Sequence, residues 1–127
     1  MATQVSDSEL TLLKIVWANG GQALYAQIMA GLAEKGYTWQ KNTVITLLSR
    51  LVEKGFLKTD KIGRRNAYIA LMSEADYQAA QTEKLLDKCY EGSAKGLVLT
   101  LIEREMLSQA DYEELKRFWE GQCDEDG

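Results

Sequence analysis

Seven basic residues, Lys41, Arg50, Lys54, Lys58, Lys61, Arg64 and Arg65, fall between Thr38 and Asn66, where only Glu53 and Asp60 oppose them. A local cluster of this sign is the footprint expected where a protein meets phosphates, and a solvated charged face is the bland alternative. The residues among the cations favour the first reading. Asn42 can pair bidentately with adenine, Thr43 and Thr46 can donate, accept or lay a methyl on thymine, and Arg50 can reach guanine or phosphate. The chemistry on offer is binding rather than bond making. There is no histidine in the chain, and neither a Gly-rich phosphate loop nor an identifiable pair of catalytic carboxylates is present, so no enzyme is expected. Cys89 and Cys123 are too few for a zinc site, and no metal or cofactor is expected.

The net charge of −4 conceals an uneven distribution. Residues 1–72 carry nine Lys and Arg against five Asp and Glu, a net +4, and residues 73–127 carry six against fourteen, a net −8. The two parts are therefore expected to have different jobs. No apolar run has the length of a membrane span, the first residues lack the pattern of a secretory signal, and two isolated cysteines suit a reducing compartment, so a cytoplasmic location is expected.

Three helices and a hairpin must position the basic cluster. Ser6-Asp7-Ser8-Glu9 is an S-x-x-E capping box, followed by Leu10, Leu13, Val16 and Trp17 on one helical face, which predicts a first helix over 7–18. Asn19-Gly20-Gly21 ends it. A second helix, over 23–35, buries Leu24, Ile28, Met29 and Leu32 and stops at Gly36; Gly31 inside it implies close packing against a neighbour. The third is the most periodic: Val44, Leu47, Leu48, Leu51 and Val52 fall at i, i+3, i+4, i+7 and i+8, with Gly55 behind them. At about 100° per residue its outward face shows Asn42, Thr46, Ser49 and Glu53, with Thr43 and Arg50 on one flank and Ile45 on the other. Ile45 either meets a thymine methyl or packs against the second helix. Trp39, just before this helix, either stacks on nucleic acid or plugs the core, and the staple position favours the plug. Trp17 belongs to the core.

Phe56–Ile62 and Ala67–Leu71 have strand composition and are joined by Gly63-Arg64-Arg65-Asn66. This order of helices and a basic-tipped hairpin is that of a winged helix-turn-helix, in which the second helix of the motif enters the major groove. Lys41, Asn42, Thr43, Thr46 and Arg50 are then the candidate groove contacts. Lys58, Lys61, Arg64, Arg65 and Asn66 of the wing are placed to meet backbone or minor groove.

Beyond residue 72, Ser73 caps a fourth helix reaching Tyr90, Gly92-Ser93 breaks it, a fifth covers 94–104, and Ser108 caps a sixth ending near Gly121; the acidic tail 122–127 is expected to fray. Leu97, Val98, Leu101 and Ile102 form one apolar stripe, and Tyr112, Leu115, Phe118 and Trp119 another. Three short helices cannot hide both, so a homodimer interface is expected there. The fold class is mainly α: a winged-helix domain over 1–72 and a helical dimerisation arm over 73–127.

The order of residues resembles the penicillinase and methicillin-resistance repressors, with the copper-responsive CopY-type repressors as relatives. The resemblance rests on Ser6–Glu9 with Val16-Trp17, the string Trp39–Gly55 with its T-V-x-T-L-L-x-R-L-V-x-K-G core, Gly63–Tyr68, Leu97–Leu99, Leu107-Ser108 and Glu113–Leu115. It implies a dimeric repressor of an inverted-repeat DNA operator. Three positions depart from the pattern. Gln40-Lys41-Asn42 stands where many relatives have Ser-Pro-Lys, altering the helix cap. Thr100-Leu101 stands where penicillinase-type repressors are cut at Asn-Phe, so the resemblance leaves induction by an inactivating protease open. The tail offers Cys123 in place of the Cys-rich motif of copper sensors. Two other functions suit the same elements: a winged helix that docks protein instead of DNA, and a regulator that answers to a small ligand.

Overall fold

The computed structural model describes residues 4–126, with side chains described as far as Gly121. It contains two compact units, residues 1–79 and 80–127.

The first unit is built on α1 (Asp7–Ala18), β1 (Gln22–Leu24), α2 (Tyr25–Glu34), α3 (Lys41–Glu53), β2 (Leu57–Ile62) and β3 (Arg65–Ala70). The capping box at the start of α1 forms as its residues require: Glu9 N donates to Ser6 Oγ at 3.2 Å and Ser6 N to Glu9 Oε1 at 2.8 Å. Leu12, Leu13, Ile15 and Val16 of α1 meet Ile28 and Leu32 of α2 and Val44, Leu48 and Leu51 of α3 in one buried core. Gly31 sets how closely α1 and α2 approach, since a Cβ there would lie 2.8 Å from Ile15 Cγ2. Met29 only lies partly buried against this core.

The second helix starts two residues later than its composition suggests. Gln22–Leu24 form β1, which pairs antiparallel with β3 so that the sheet order is β1-β3-β2. A three-residue strand leaves too little alternation to be distinguished from a helix start. The Gln27 side chain then turns back to accept from Leu24 N at 2.8 Å, satisfying an amide at the α2 start where no Ser, Thr, Asp or Asn is available.

The hairpin is tighter than the four-residue connection read from the sequence. Ile62 pairs with Arg65 and Lys61 with Asn66, so the turn is Gly63-Arg64 alone, with Gly63 at φ 65°. Glycine at the first central position is what a two-residue II′ hairpin demands. Arg65 and Asn66 are strand residues, not tip residues, and the strands run over 57–62 and 65–70.

Met72 O accepts from Trp17 Nε1 at 2.9 Å. α4 (Glu74–Cys89) follows, and its Tyr77 ring stands 5.6 Å from Trp17 and 6.2 Å from Phe56. The first turn of α4 is therefore packed on the winged helix.

The second unit holds the rest of α4 with α5 (Ala94–Glu103) and α6 (Gln109–Asp126). Ser93 caps α5 by accepting from Gly96 N at 3.0 Å. Ser108 and Asp111 form a reciprocal box at the α6 start, with bonds of 3.0 and 3.1 Å. The α6 backbone stays helical to Asp126, past the end expected near Gly121 and through most of the tail expected to fray. The Cys123 side chain lies outside the described residues. Among the described residues, no side chain from Ser73 to Gly121 is fully buried. No helix among the described residues is long and apolar enough to cross a membrane.

Candidate nucleic-acid interface

α3 turns its core face inward through Val44, Leu47, Leu48 and Leu51 and leaves Lys41, Asn42, Thr43, Thr46 and Arg50 exposed. Asn42 and Thr46 crest the outward side. Thr43, Arg50 and the edge of Leu47 line, with them, a shallow depression of about 320 Å³ on one flank. The Thr46 hydroxyl donates to Asn42 O at 2.8 Å. Its proton is thus spent inside the helix, and what it offers outward is a methyl group and an accepting oxygen. The helix begins on Gln40 without a side-chain cap, and its first turn contains no acidic residue. The positive end of the helix dipole and the Lys41 ammonium therefore point the same electrostatic way, toward an anion.

The opposite flank faces the wing across a larger cavity of about 620 Å³. Leu24, Tyr25 and Ala26 at the α2 start, Ile45 of α3 and Tyr68 of β3 provide apolar wall; Lys41, Arg65 and Asn66 complete the lining. Ile45 is 39% exposed. It is neither a core residue nor a lone protruding one, but part of this wall beside the first turn of α2. Burial pushes the Tyr68 phenol up from its ordinary range, and the neighbouring Tyr25 phenol adds to the shift. Trp39 packs against the core with its ring 4.9 Å from Tyr37, the arrangement of a plug.

The wing does not present its cations on one surface. By strand pairing, Lys61 and Asn66 share one side of the hairpin, Lys58 lies on the other, Arg65 begins β3 opposite Ile62, and Arg64 occupies the turn. All five are exposed, and none of the four cations has an ion-pair partner among the described residues. Lys54 is different. Its ammonium is 2.7 Å from Glu9 Oε1 and 2.8 Å from Gln4 O, which removes it from the free basic cluster.

In the second unit Val98, Ile102, Tyr112, Leu115, Phe118 and Trp119 are exposed, and Leu97 and Leu101 are half-buried. Leu85, Leu99 and Met106 are exposed as well; none of them belongs to either stripe read from the sequence. Thr100 and Leu101 sit in the C-terminal half of α5, with the Thr100 hydroxyl donating to Gly96 O at 3.2 Å.

The profile described as "Penicillinase repressor" matches residues 5–121. The chain belongs to the penicillinase repressor family. Among family members, the penicillinase repressor of Bacillus licheniformis is 31% identical over 117 residues, covering 92% of this chain and 90% of that protein. The methicillin resistance regulatory protein MecI of Staphylococcus aureus strain N315 is 30% identical over 113 residues, covering 89% and 90%. Of solved structures, the Bacillus licheniformis BlaI monomeric form in complex with the blaP half-operator is 34% identical, with a TM-score of 0.51; the match covers 61% of this chain and 92% of that one. This penicillinase repressor family member thus shares its winged-helix fold with a relative of known structure.

Proposed function

We propose that this chain is a DNA-binding transcriptional repressor, not an enzyme, and that it holds an inverted-repeat operator in the cytoplasm as a homodimer. The observation that carries the reading is the exposed polar crest and flank of α3, Asn42, Thr43, Thr46 and Arg50, set beside a wing whose cations have no ion-pair partner among the described residues. Short polar side chains on a rigid helix suit base edges, and free cations on both sides of a hairpin suit the two phosphate backbones that border a groove. The half-operator complex of the BlaI relative supports the same assignment. A protein-docking winged helix would need neither feature.

Residues 1–72 act as the DNA-binding domain and residues 73–127 as the dimer arm. Support for the arm is physical: α4 to α6 contain no fully buried side chain among the described residues, yet α5 and α6 expose Ile102, Phe118 and Trp119. A second copy covers such a surface, and two-fold symmetry in the protein then matches two-fold symmetry in the site.

The test is selection of bound fragments from the source genome by the full-length protein, followed by sedimentation of protein with the selected fragment. The expected result is enrichment of a short two-fold symmetric sequence bound by two chains. Enrichment of no sequence, with affinity equal for all fragments, overturns the repressor reading.

A further inference from the structure

We propose that the cavity between α3 and the wing is a binding site for a small aromatic monoanion, a carboxylate or sulfonate carried on a one- or two-ring body. We infer further that its occupant excludes DNA, a consequence that rests on the repressor reading. The volume, about 620 Å³, lies in the range of small-molecule sites. Its wall is more apolar than a phosphate needs. The side chains of Leu24, Ala26 and Ile45 have no group to offer an anion, but they favour an apolar body, and the rings of Tyr25 and Tyr68 add flat faces for an aromatic one.

The charge at the site fixes the sign of the ligand. Lys41 and Arg65 line the cavity without an ion-pair partner among the described residues, and no Asp or Glu lines it. A cationic or neutral ligand leaves both cations unanswered, whereas a carboxylate gains charge-assisted hydrogen bonds from them. Tyr68, whose phenol is neutral and shifted further up by burial, and Asn66 supply neutral donors. Lys41, Arg65 and Asn66 are also proposed DNA contacts, so one set of donors serves either the small anion or the operator backbone. Occupancy is then mutually exclusive, which makes the cavity an inducer site built into the DNA-reading face.

The experiment uses full-length protein, with 2-naphthoate and its neutral analogue 2-naphthylmethanol titrated calorimetrically in the absence of DNA. Two cavity-filling variants, Ala26→Trp and Ile45→Trp, are checked for unchanged circular dichroism, and Lys41→Gln tests the charge. Wild type is expected to bind one 2-naphthoate per chain. The neutral analogue, Lys41→Gln and at least one folded filling variant are each expected to bind about tenfold more weakly or worse. Wild type that shows no saturable binding overturns the site, as does equal binding by the neutral analogue or by both filled variants. If wild type ignores 2-naphthoate while the filled variants lose affinity for selected genomic fragments, the cavity seats DNA backbone; the ligand proposal is overturned and the repressor reading stands. If 2-naphthoate binds as expected but selected fragments are not displaced, the inference of exclusion is overturned. If it binds as expected and no fragment is selected at all, the ligand site stands and the repressor reading fails.

Discussion

The ammonium of Lys54 lies 2.7 Å from Oε1 of Glu9, joining the C-terminal end of α3 to the first turn of α1. Glu9 is only 1% exposed and its other oxygen, Oε2, has no hydrogen-bond partner among the described residues. Burial alone would raise the Glu9 carboxyl, but hydrogen bonds from Lys54 and Ser6 outweigh it and hold the group below its ordinary value of 4.5. One residue thus serves as helix cap and as anchor for α3.

Removing Lys54 leaves Glu9 as a buried charge without its partner. Lys54→Met is expected to destabilise the fold by about 3 kcal/mol or more, measured by urea unfolding at pH 7. Because this ammonium is already engaged, the salt dependence of DNA binding by the remaining folded protein should be unchanged. A shallower salt slope for Lys54→Met shows that Lys54 meets phosphate after all.

The same pair sets a pH dependence. The folded carboxyl titrates below the unfolded one, so between the two values the unfolded chain holds more protons and stability rises with pH. Its contribution is fully present above 4.5 and is lost as pH falls through the depressed folded value. The stability gap between wild type and Glu9→Gln, from urea melts across acid pH, should therefore narrow as pH drops below 4.5. A gap that stays constant or widens on acidification contradicts the assignment.

Thr46 and Arg50 separate two ways of reading a base. With its proton donated to Asn42 O, Thr46 offers mainly a methyl group, so Thr46→Val should preserve operator selectivity and Thr46→Ser should lose discrimination at one thymine. Arg50→Ala should cost about 1 to 3 kcal/mol and relax selectivity at one position. Anisotropy titrations against single-base operator variants decide both; selectivity lost in Thr46→Val but kept in Thr46→Ser would make the hydroxyl the reader.

On the wing, Lys58, Lys61, Arg64 and Arg65 are dispersed over both sides and the turn, an arrangement suited to phosphates rather than to one row of base edges. Each changed to Gln should weaken all DNA sequences alike and lower the salt slope by roughly one unit for every phosphate no longer neutralised. Arg65→Gln and Lys58→Gln with different sequence preferences would reassign the wing to base reading.

The periodic parts of this architecture are legible in the sequence. Ser6 and Glu9 announce the α1 cap, and five apolar residues at helical spacing announce α3, because these signals lie within one or two turns of chain. β1 is not legible: Gln22–Leu24 become a strand only because β3, some forty-five residues later, offers them a pairing edge. The wing turn reads too wide because Arg65 and Asn66 look like turn residues until the register with Ile62 and Lys61 is known. For the same reason Lys54 counts among the free cations in the sequence, since its partner Glu9 is distant along the chain. The cavity wall is hidden most completely. Tyr25, Ile45 and Tyr68 come from three elements, and no local spacing connects them.

The arm offers a test of dimerisation that does not endanger the fold. Leu101 is half-buried within its own chain, so a charge there confounds loss of the partner with damage to α5. Trp119 is 72% exposed and Phe118 68%, and neither has a role in the protomer that a substitution would remove. Trp119→Asp places a carboxylate where the partner chain is proposed to pack, and an unpaired buried charge opposes association strongly. The expected result is a protein with wild-type circular dichroism that sediments as a monomer at micromolar concentration. Linking two winged helices raises avidity by about 10² to 10⁴ because the second engagement is intramolecular. Trp119→Asp should forfeit most of that gain on the full operator while binding a half-site as wild type does, although residues 1–72 are untouched. A dimeric Trp119→Asp whose operator affinity is undiminished places the partner surface elsewhere, with Ile102→Asp on α5 as the next position to separate one face of the arm from the other.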